Sequence, residues 1–290
     1  MAMIREKGYY HWDGQLVERR IPWWPITRTG IQLAFKKKAF KFFFSGAFIP
    51  TIVFLAGLYI SERLEDFKFM VRGSERLINV GPDYFKSFVA NDATLFLLVM
   101  VLVFAGAGLI TDDLKHNSLQ LYFARPLRKS EYLLGKMSVV FFFVLVLTLV
   151  PGLLLFLFKL IFAGSFKFFA AYSTLPLSII GYSAVLTIFL AFYTLLLSAS
   201  SKSTRYATIL MFMIYVFSDV LHHVLANIFH SPAMALFSVK ANLQQVGAFL
   251  FGQKLPFAVP ALWSFVVLAG ICGLAALVLN RTIRSVEVVQ

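Results

Sequence analysis

Cysteine is nearly absent: the 290 residues contain one, Cys272, set in an apolar run. A lone thiol excludes an intrachain disulfide and any cysteine cage for a metal, and it leaves Cys272 as a small packing residue. Acidic residues are scarce too, 14 against 27 Lys and Arg. Catalytic signatures are missing in their turn. No G-x-x-x-x-G-K-[ST] occurs, so no Gly-rich loop is available to wrap backbone N–H groups around phosphates. The nearest imitation, GAFLFGQK at 247–254, interposes Gln253 before Lys254 and continues into Leu255. The Gly135–Lys136 pair lacks the upstream glycine and runs into Met137. Neither H-E-x-x-H nor G-x-S-x-G is present, which removes the zinc-protease helix and the hydrolase elbow. The expectation is a chain that does no bond chemistry of its own.

Apolar residues are what the chain has. They make up 59% of it, Phe alone occurs 33 times, and the mean hydropathy is +0.79. Roughly half apolar is already typical of a soluble domain, and about 20 consecutive apolar residues cross a bilayer as a helix. Six stretches qualify, at about 42–60, 93–111, 137–158, 174–198, 208–226 and 260–279. The expected fold class is therefore all-α, a polytopic membrane protein. It divides into an arm, residues 1–41, and a six-span domain, 42–290. No early apolar h-region opens the chain, so the first span is expected to be a retained anchor.

An even number of spans places both termini on one side of the membrane. The segments on that side hold eighteen Lys and Arg and the opposite segments nine. The first opposite segment also carries Glu62, Glu65, Asp66, Glu75, Asp83 and Asp92. By the positive-inside rule both termini are expected in the cytoplasm. The net charge of +13 is spread over membrane flanks, so the expected partners are lipid head groups and not nucleic acid.

The arm carries Trp12, Trp23 and Trp24, side chains that favour the head-group layer. In the following ITRTGIQLAFKKKAFKFFF, helical spacing puts Ile31, Ala34, Phe35 and Phe42 on one face. Lys36, Lys37 and Lys41 point elsewhere, Lys38 falls within the apolar stripe, and Leu33 and Phe40 fall outside it. The expectation is an interfacial helix whose lysines snorkel to phosphates.

One compact polar segment, TDDLKHNSLQLYFARPLRKSEYLLGK at 111–136, separates the second and third spans. Asn117 and Ser118 are good N-caps, and the residues after them can form about two helical turns, with Leu119, Tyr122 and Phe123 on one side. Pro126 cannot continue a helix and disfavours one at Arg125. Ser130 is a plausible second cap, with Glu131 in its first turn. Such a short helix, ringed by Arg125, Arg128 and Lys129, fits either a partner's groove or a half-submerged loop.

GLITDDLKHNSLQLYFARPLRKSEYLLGK, residues 108–136, resembles the segment between the second and third spans of ABC-2 type transporter permeases. Those commonly show an acidic pair, an SLxLYxxRP block and a Y-LLGK run into the next span. The resemblance implies that this short helix is a coupling helix docking on a separate ABC ATPase subunit, which would hold the ATP and Mg. The docking residues it implies are Asn117, Ser118, Leu119, Leu121, Tyr122, Phe123, Arg125 and Pro126. It also implies export, re-entrant elements between the last two spans, and a second permease subunit, either a homodimer partner or a paralogue. The expected location is a bacterial cytoplasmic (inner) membrane.

The fifth span contains FSDVLHHVLANIFH. Asp219 stands i, i+3 from His222 and i, i+4 from His223, so the three can meet on a helix. An intramembrane acid points to a proton, metal or substrate head-group site. Alternatively, Asp219 is satisfied by a histidine or a neighbouring helix. That constellation carries the rival function, an ATPase-independent secondary transporter or channel. A third possibility is a membrane anchor for an ATPase that does signalling or motility work. Three packing expectations complete the reading: a kink at Pro151–Gly152, close helix approach at FAGAG (104–108) and LAGICGLAA (268–276), and short helices in the apolar segment 227–259.

Overall fold

The computed structural model describes residues 21–62, 80–123, 127–163 and 167–284, and every regular element among them is helical. The arm forms α1 (Trp24–Lys36). The first span is α2 (Lys38–Gly46) followed by α3 (Ile49–Glu62), and the second is α4 (Pro82–Ala90), α5 (Asp92–Gly106) and α6 (Gly108–Lys115). A short α7 (Ser118–Phe123) leads to the third span, α8 (Lys129–Leu147) and α9 (Leu149–Ala163), and then to α10 (Lys167–Ala171). The fourth and fifth spans are the single helices α11 (Leu175–Ala199) and α12 (Thr204–Phe229). A 3-10 turn (Pro232–Phe237) and α13 (Val239–Leu250) precede the last span, α14 (Ala261–Arg284).

All six expected spans are present as long apolar helices, most running a few residues past the apolar cores from which they were counted. The end turns are helical but polar, so hydropathy understates them. Burial sorts the spans into two groups. In their most apolar windows 67%, 56% and 61% of the residues of spans two, three and four are buried, against 17%, 17% and 22% in spans one, five and six. Spans two, three and four are thus the packed centre, and the other three present broad apolar faces outward.

The spans break where chemistry demands it. Pro151 has no N–H to give the carbonyl of Leu147, and the helix is interrupted one residue later at Thr148. Pro50 acts likewise on Gly46, where α2 ends. Asn91 ends α4 and caps α5: its Oδ1 accepts from the Thr94 N–H (2.7 Å) while its Nδ2 donates to the Ser87 carbonyl (2.6 Å). The break at Ala107 has no proline. It falls inside FAGAG, where α5 crosses α11 so closely that a Cβ on Gly106 would lie 2.1 Å from Thr194 Cγ2. In LAGICGLAA, by contrast, nothing lies within 4 Å of where a Cβ on Gly270 or Gly273 would be.

The arm does not stand apart from the bundle. Ile26 meets Gly135, Gly30 meets Val139, and Phe35 and Phe40 meet Phe143, so the contacts advance together along α1–α2 and α8. One correction to the helical reading follows. Lys37 is extended (φ −82°, ψ 124°) and resets the helical phase, so Phe40 is buried (0% exposed) and Phe42 faces out (74%). An uninterrupted helix had put them the other way round.

Gly106→Ala is expected to lower stability in detergent by about 1–3 kcal/mol, the cost typical of overpacking. Adding Thr194→Ser, which removes the obstructing methyl, restores most of it, as read from paired thermal-unfolding curves.

Candidate functional site

Two polar assemblies stand out, one at each end of the bundle. The first surrounds α7, on the side shared by α1 and the end of α14. Four residues distant in sequence, Ile26 of α1, Leu119 of α7, Tyr132 of α8 and Ile283 of α14, form a separate buried apolar cluster. Leu119 is 1% exposed and Tyr132 0%. The expectation that α7 turns its Leu outward is therefore corrected: Leu119 faces the protein's own interior, because elements α1, α7, α8 and α14 converge there. Tyr122 is half-buried, its ring 5.4 Å from that of Tyr132, and burial followed by the Asp113 charge raises its pKa.

A buried ion pair underlies this cluster. Lys136 Nζ lies 2.6 Å from Asp113 Oδ2, the two side chains being 9% and 14% exposed. The Tyr132 hydroxyl donates to the same oxygen (2.7 Å), and the lysine lies over the rings of Tyr132 and Tyr122 at 5.5 and 5.9 Å. The end of span two is thus tied to the start of span three directly under α7. The caps differ from expectation. Asn117 has a positive φ of 53°: its N–H bonds the Leu114 carbonyl (3.3 Å) at the end of α6, while its own carbonyl accepts from the Gln120 N–H (3.2 Å) at the start of α7. Helix α8 starts one residue before Ser130, with the Arg128 N–H donating to Glu131 Oε2 (2.8 Å).

Among the docking residues, Asn117 and the neighbouring Gln120 are exposed and Ser118 is partly covered. Leu121 and Phe123 belong to α7, but their side chains fall outside the described set, and Arg125 and Pro126 lie outside the described residues altogether. In the arm, Ile31 packs against the core, Phe35 is 37% exposed, and Lys36 and Lys41 face outward.

Lys37 behaves differently from its neighbours. Its ammonium turns inward and donates to the Phe104 carbonyl (3.0 Å) beside the break in span two. Burial lowers its pKa, an effect that the nearby Asp112 partly opposes. The break itself is held by α11. Ser198 Oγ donates to the Ala107 carbonyl (2.8 Å) and accepts from the N–H groups of Ile110 (3.0 Å) and Thr111 (3.1 Å). Thr111 Oγ1 bonds the Ser198 carbonyl in return. Sequence reasoning missed this node, since serines and threonines inside apolar spans give no periodic signal.

At the other end, Asp219, His222 and His223 do come together on α12, with one ligand-capable atom from each within 4.8 Å of the others. The principal partner of Asp219 is one the sequence reading did not name. Lys240, at the start of α13, bonds its Oδ2 at 2.8 Å, and Ser238 bonds its Oδ1 at 3.2 Å. Lys240 also pairs with Asp92 (3.4 Å), to which the Gln244 amide donates at 2.7 Å. Burial alone would lower the pKa of Lys240; the hydrogen bonds and charges of Asp219 and Asp92 outweigh it and raise the pKa. The sequence signal was its isolation in the apolar stretch between His230 and Lys254. The histidine rings stack at 4.9 Å with 29° between planes.

Helix α13 is one of the short helices expected in the apolar segment 227–259. Gln245 ties it to the chain that follows, donating to the carbonyls of Phe257 (3.0 Å) and Val259 (2.5 Å) and accepting from the Phe257 N–H (3.2 Å). Gly247, inside the would-be phosphate loop, is helical, and a Cβ there would meet Ala90 at 3.1 Å and Tyr182 at 3.2 Å. No phosphate fits that space.

The profile of a family described as ABC-2 family transporter protein matches residues 32–253. No curated protein matches the chain.

Lys136→Met is expected to destabilise the protein by about 3–5 kcal/mol, because it strands Asp113 as a buried charge. The double variant Lys136→Met with Asp113→Asn recovers more than half of that loss. Thermal unfolding of the three proteins in one detergent checks both statements.

Proposed function

The chain belongs to the ABC-2 transporter family, and from that premise we propose that it is the permease subunit of an ATP-driven exporter, coupled through α7 to a separate ATPase. Members of this family are membrane components and not ATPases, and an ATPase partner is implied for the family in general. The ATP and Mg belong to that partner. The chain supplies a pathway and a lever, works with a second permease subunit, and sits in a bacterial inner membrane with both termini in the cytoplasm.

The observation that carries the proposal is the buried junction under α7. A force applied to the outward face of α7 reaches α1, α8 and α14 at once through Leu119, because Ile26, Tyr132 and Ile283 touch the same cluster. Asp113 and Lys136 pass it to spans two and three. The arm adds a second connection, from Lys37 to the break in span two. Packed side chains with little free volume move together rather than deform, so a push on α7 shifts whole spans. The rival reading, a carrier driven by titration of Asp219, loses support, since that carboxylate is already paired with Lys240 and Ser238.

The test substitutes the exposed Gln120 and Arg125, a docking residue implied by the resemblance, and leaves Leu119 alone. Full-length protein is solubilised and captured, and the recovered ATP hydrolysis is compared between wild type and Gln120→Arg with Arg125→Glu. Wild type is expected to bring down an ATPase and the variant to lose about tenfold or more of it, as for a docking hot spot, with unchanged thermal stability. An ATPase recovered equally by both, or by neither, overturns the coupling assignment.

A further inference from the structure

Span one is held unevenly along its length. Its first half, α2, is pinned to two other spans: the buried Phe40 packs on Phe143 with ring centroids 4.9 Å apart, and Phe43 stacks on Phe104 at 5.1 Å. Its second half, α3, buries Pro50 and Leu58 and leaves Ile49, Ile52, Val53, Tyr59 and Ile60 exposed. Between the halves the helical bonding lapses. Pro50 has no N–H for the Gly46 carbonyl, and the Phe48 N–H reaches back to Ser45 (3.2 Å), one residue short of the helical partner. Nothing lies within 4 Å of where a Cβ on Gly46 would be, so that side of the joint is open. At its far end α3 is tied to α9. Glu62 and Lys159 form an ion pair whose side chains are 16% and 11% exposed, and the lysine lies over the Phe168 ring at 5.0 Å. Tyr59 meets Phe162 edge-on at 5.5 Å. Phe54 packs against Tyr84 and Phe88, and the Tyr84 hydroxyl donates to its carbonyl.

We propose that α3 is a hinged half-span that swings about Ala47–Phe48, with the Glu62–Lys159 pair as the latch that holds its far end against α9. Hinges are a few element-terminal residues that absorb a change of backbone angle between two rigid parts. Ala47 and Phe48 stand between a well-anchored helix and a loosely packed one, and segments with few buried apolar contacts are those that open most readily. An apolar contact would join the two spans at least as well, since replacing a buried pair by apolar residues is often neutral or stabilising. What the pair adds is two-sidedness. Closed, each charge satisfies the other; open, both need water or a new partner, so half-open positions are the costly ones. Opening uncovers the rings of Tyr84, Phe88 and Phe162 and the ammonium of Lys159 on that side of the bundle. The arm feeds the same joint, because α1 and α2 follow α8 contact by contact up to the break. The inference rests on the permease reading only for the source of the force; hinge and latch need no ATPase, so failure of either leaves the other standing.

Double electron–electron resonance on the full chain in phospholipid nanodiscs provides the test, after Cys272→Ala removes the native thiol. One spin-label pair, Ile60→Cys with Leu262→Cys, reports the far half of span one. A second, Phe42→Cys with Tyr206→Cys, reports the anchored half; all four side chains are exposed. With Glu62 and Lys159 intact, each pair is expected to give a single distance. Glu62→Gln, which removes the charge at nearly constant volume, is expected to add a second population to the first pair and to leave the second pair unchanged. The exchange Glu62→Lys with Lys159→Glu is expected to return the first pair to one population. A first pair unmoved by Glu62→Gln, a second population that the exchange does not remove, or both pairs broadened together as in a general loosening, overturns the proposal.

Discussion

Backbone polar groups in a bilayer have no water to turn to, and the whole architecture depends on how that constraint is met where the helices break. Three of the six spans are interrupted. At Thr148 the threonine hydroxyl donates to the Val144 carbonyl at 2.8 Å, so the break is patched within one helix. At Ala107 the patch comes from elsewhere: Ser198 on α11 and Lys37 from the arm both reach carbonyls that the interrupted helix leaves free. A break repaired by other helices is also a mechanical joint. Moving the arm or α11 alters the bonds that hold span two in shape.

This gives the α7 junction its significance. Helix α7 neither floats at the surface nor forms a closed unit. It is seated on a cluster to which the arm, span three and span six each contribute one residue, and the Asp113–Lys136 pair pins span two to span three beneath it. Replacing a buried ion pair with apolar residues is often neutral, whereas removing one partner is costly. The pair therefore acts as a register pin more than as a source of stability. Within this six-residue helix Leu119 is buried in the cluster while Gln120 is exposed, so neighbouring residues face opposite ways.

The opposite end solves a different problem with similar means. Asp219 is expensive in an apolar span, and α13 brings Lys240 to it by folding back between spans five and six. Glu62 and Lys159 make a comparable pair between spans one and three. The charges near this end are thus largely matched across elements. Asp92 joins the same network through Lys240 and Gln244 while remaining mostly exposed.

Much of this was legible in the sequence because it depends on local chemistry: the six spans from apolar run length, the break near Pro151 from a missing N–H, the α7 helix from its flanking polar residues and Pro126. The meeting of Asp219 with two histidines followed from helical spacing alone. Phe40, Leu119 and Asn117 were assigned from periodicity or propensity; for Phe40 and Leu119 the outcome depended on neighbours distant in sequence, and for Asn117 on the helix that ends just before it. Lys37 turned the helical phase by reaching for Phe104, α1 and α14 closed over Leu119, and Asn117 was taken by the helix before it. Lys240 lay beyond reach for the same reason, since nothing local says which carboxylate a lone lysine will meet. Residue order by itself determined that this chain has six helices long and apolar enough to span a membrane, because hydropathy is a property of short windows. Tertiary structure alone decided which faces are buried and which charges pair, because those depend on contacts between helices that are far apart along the chain.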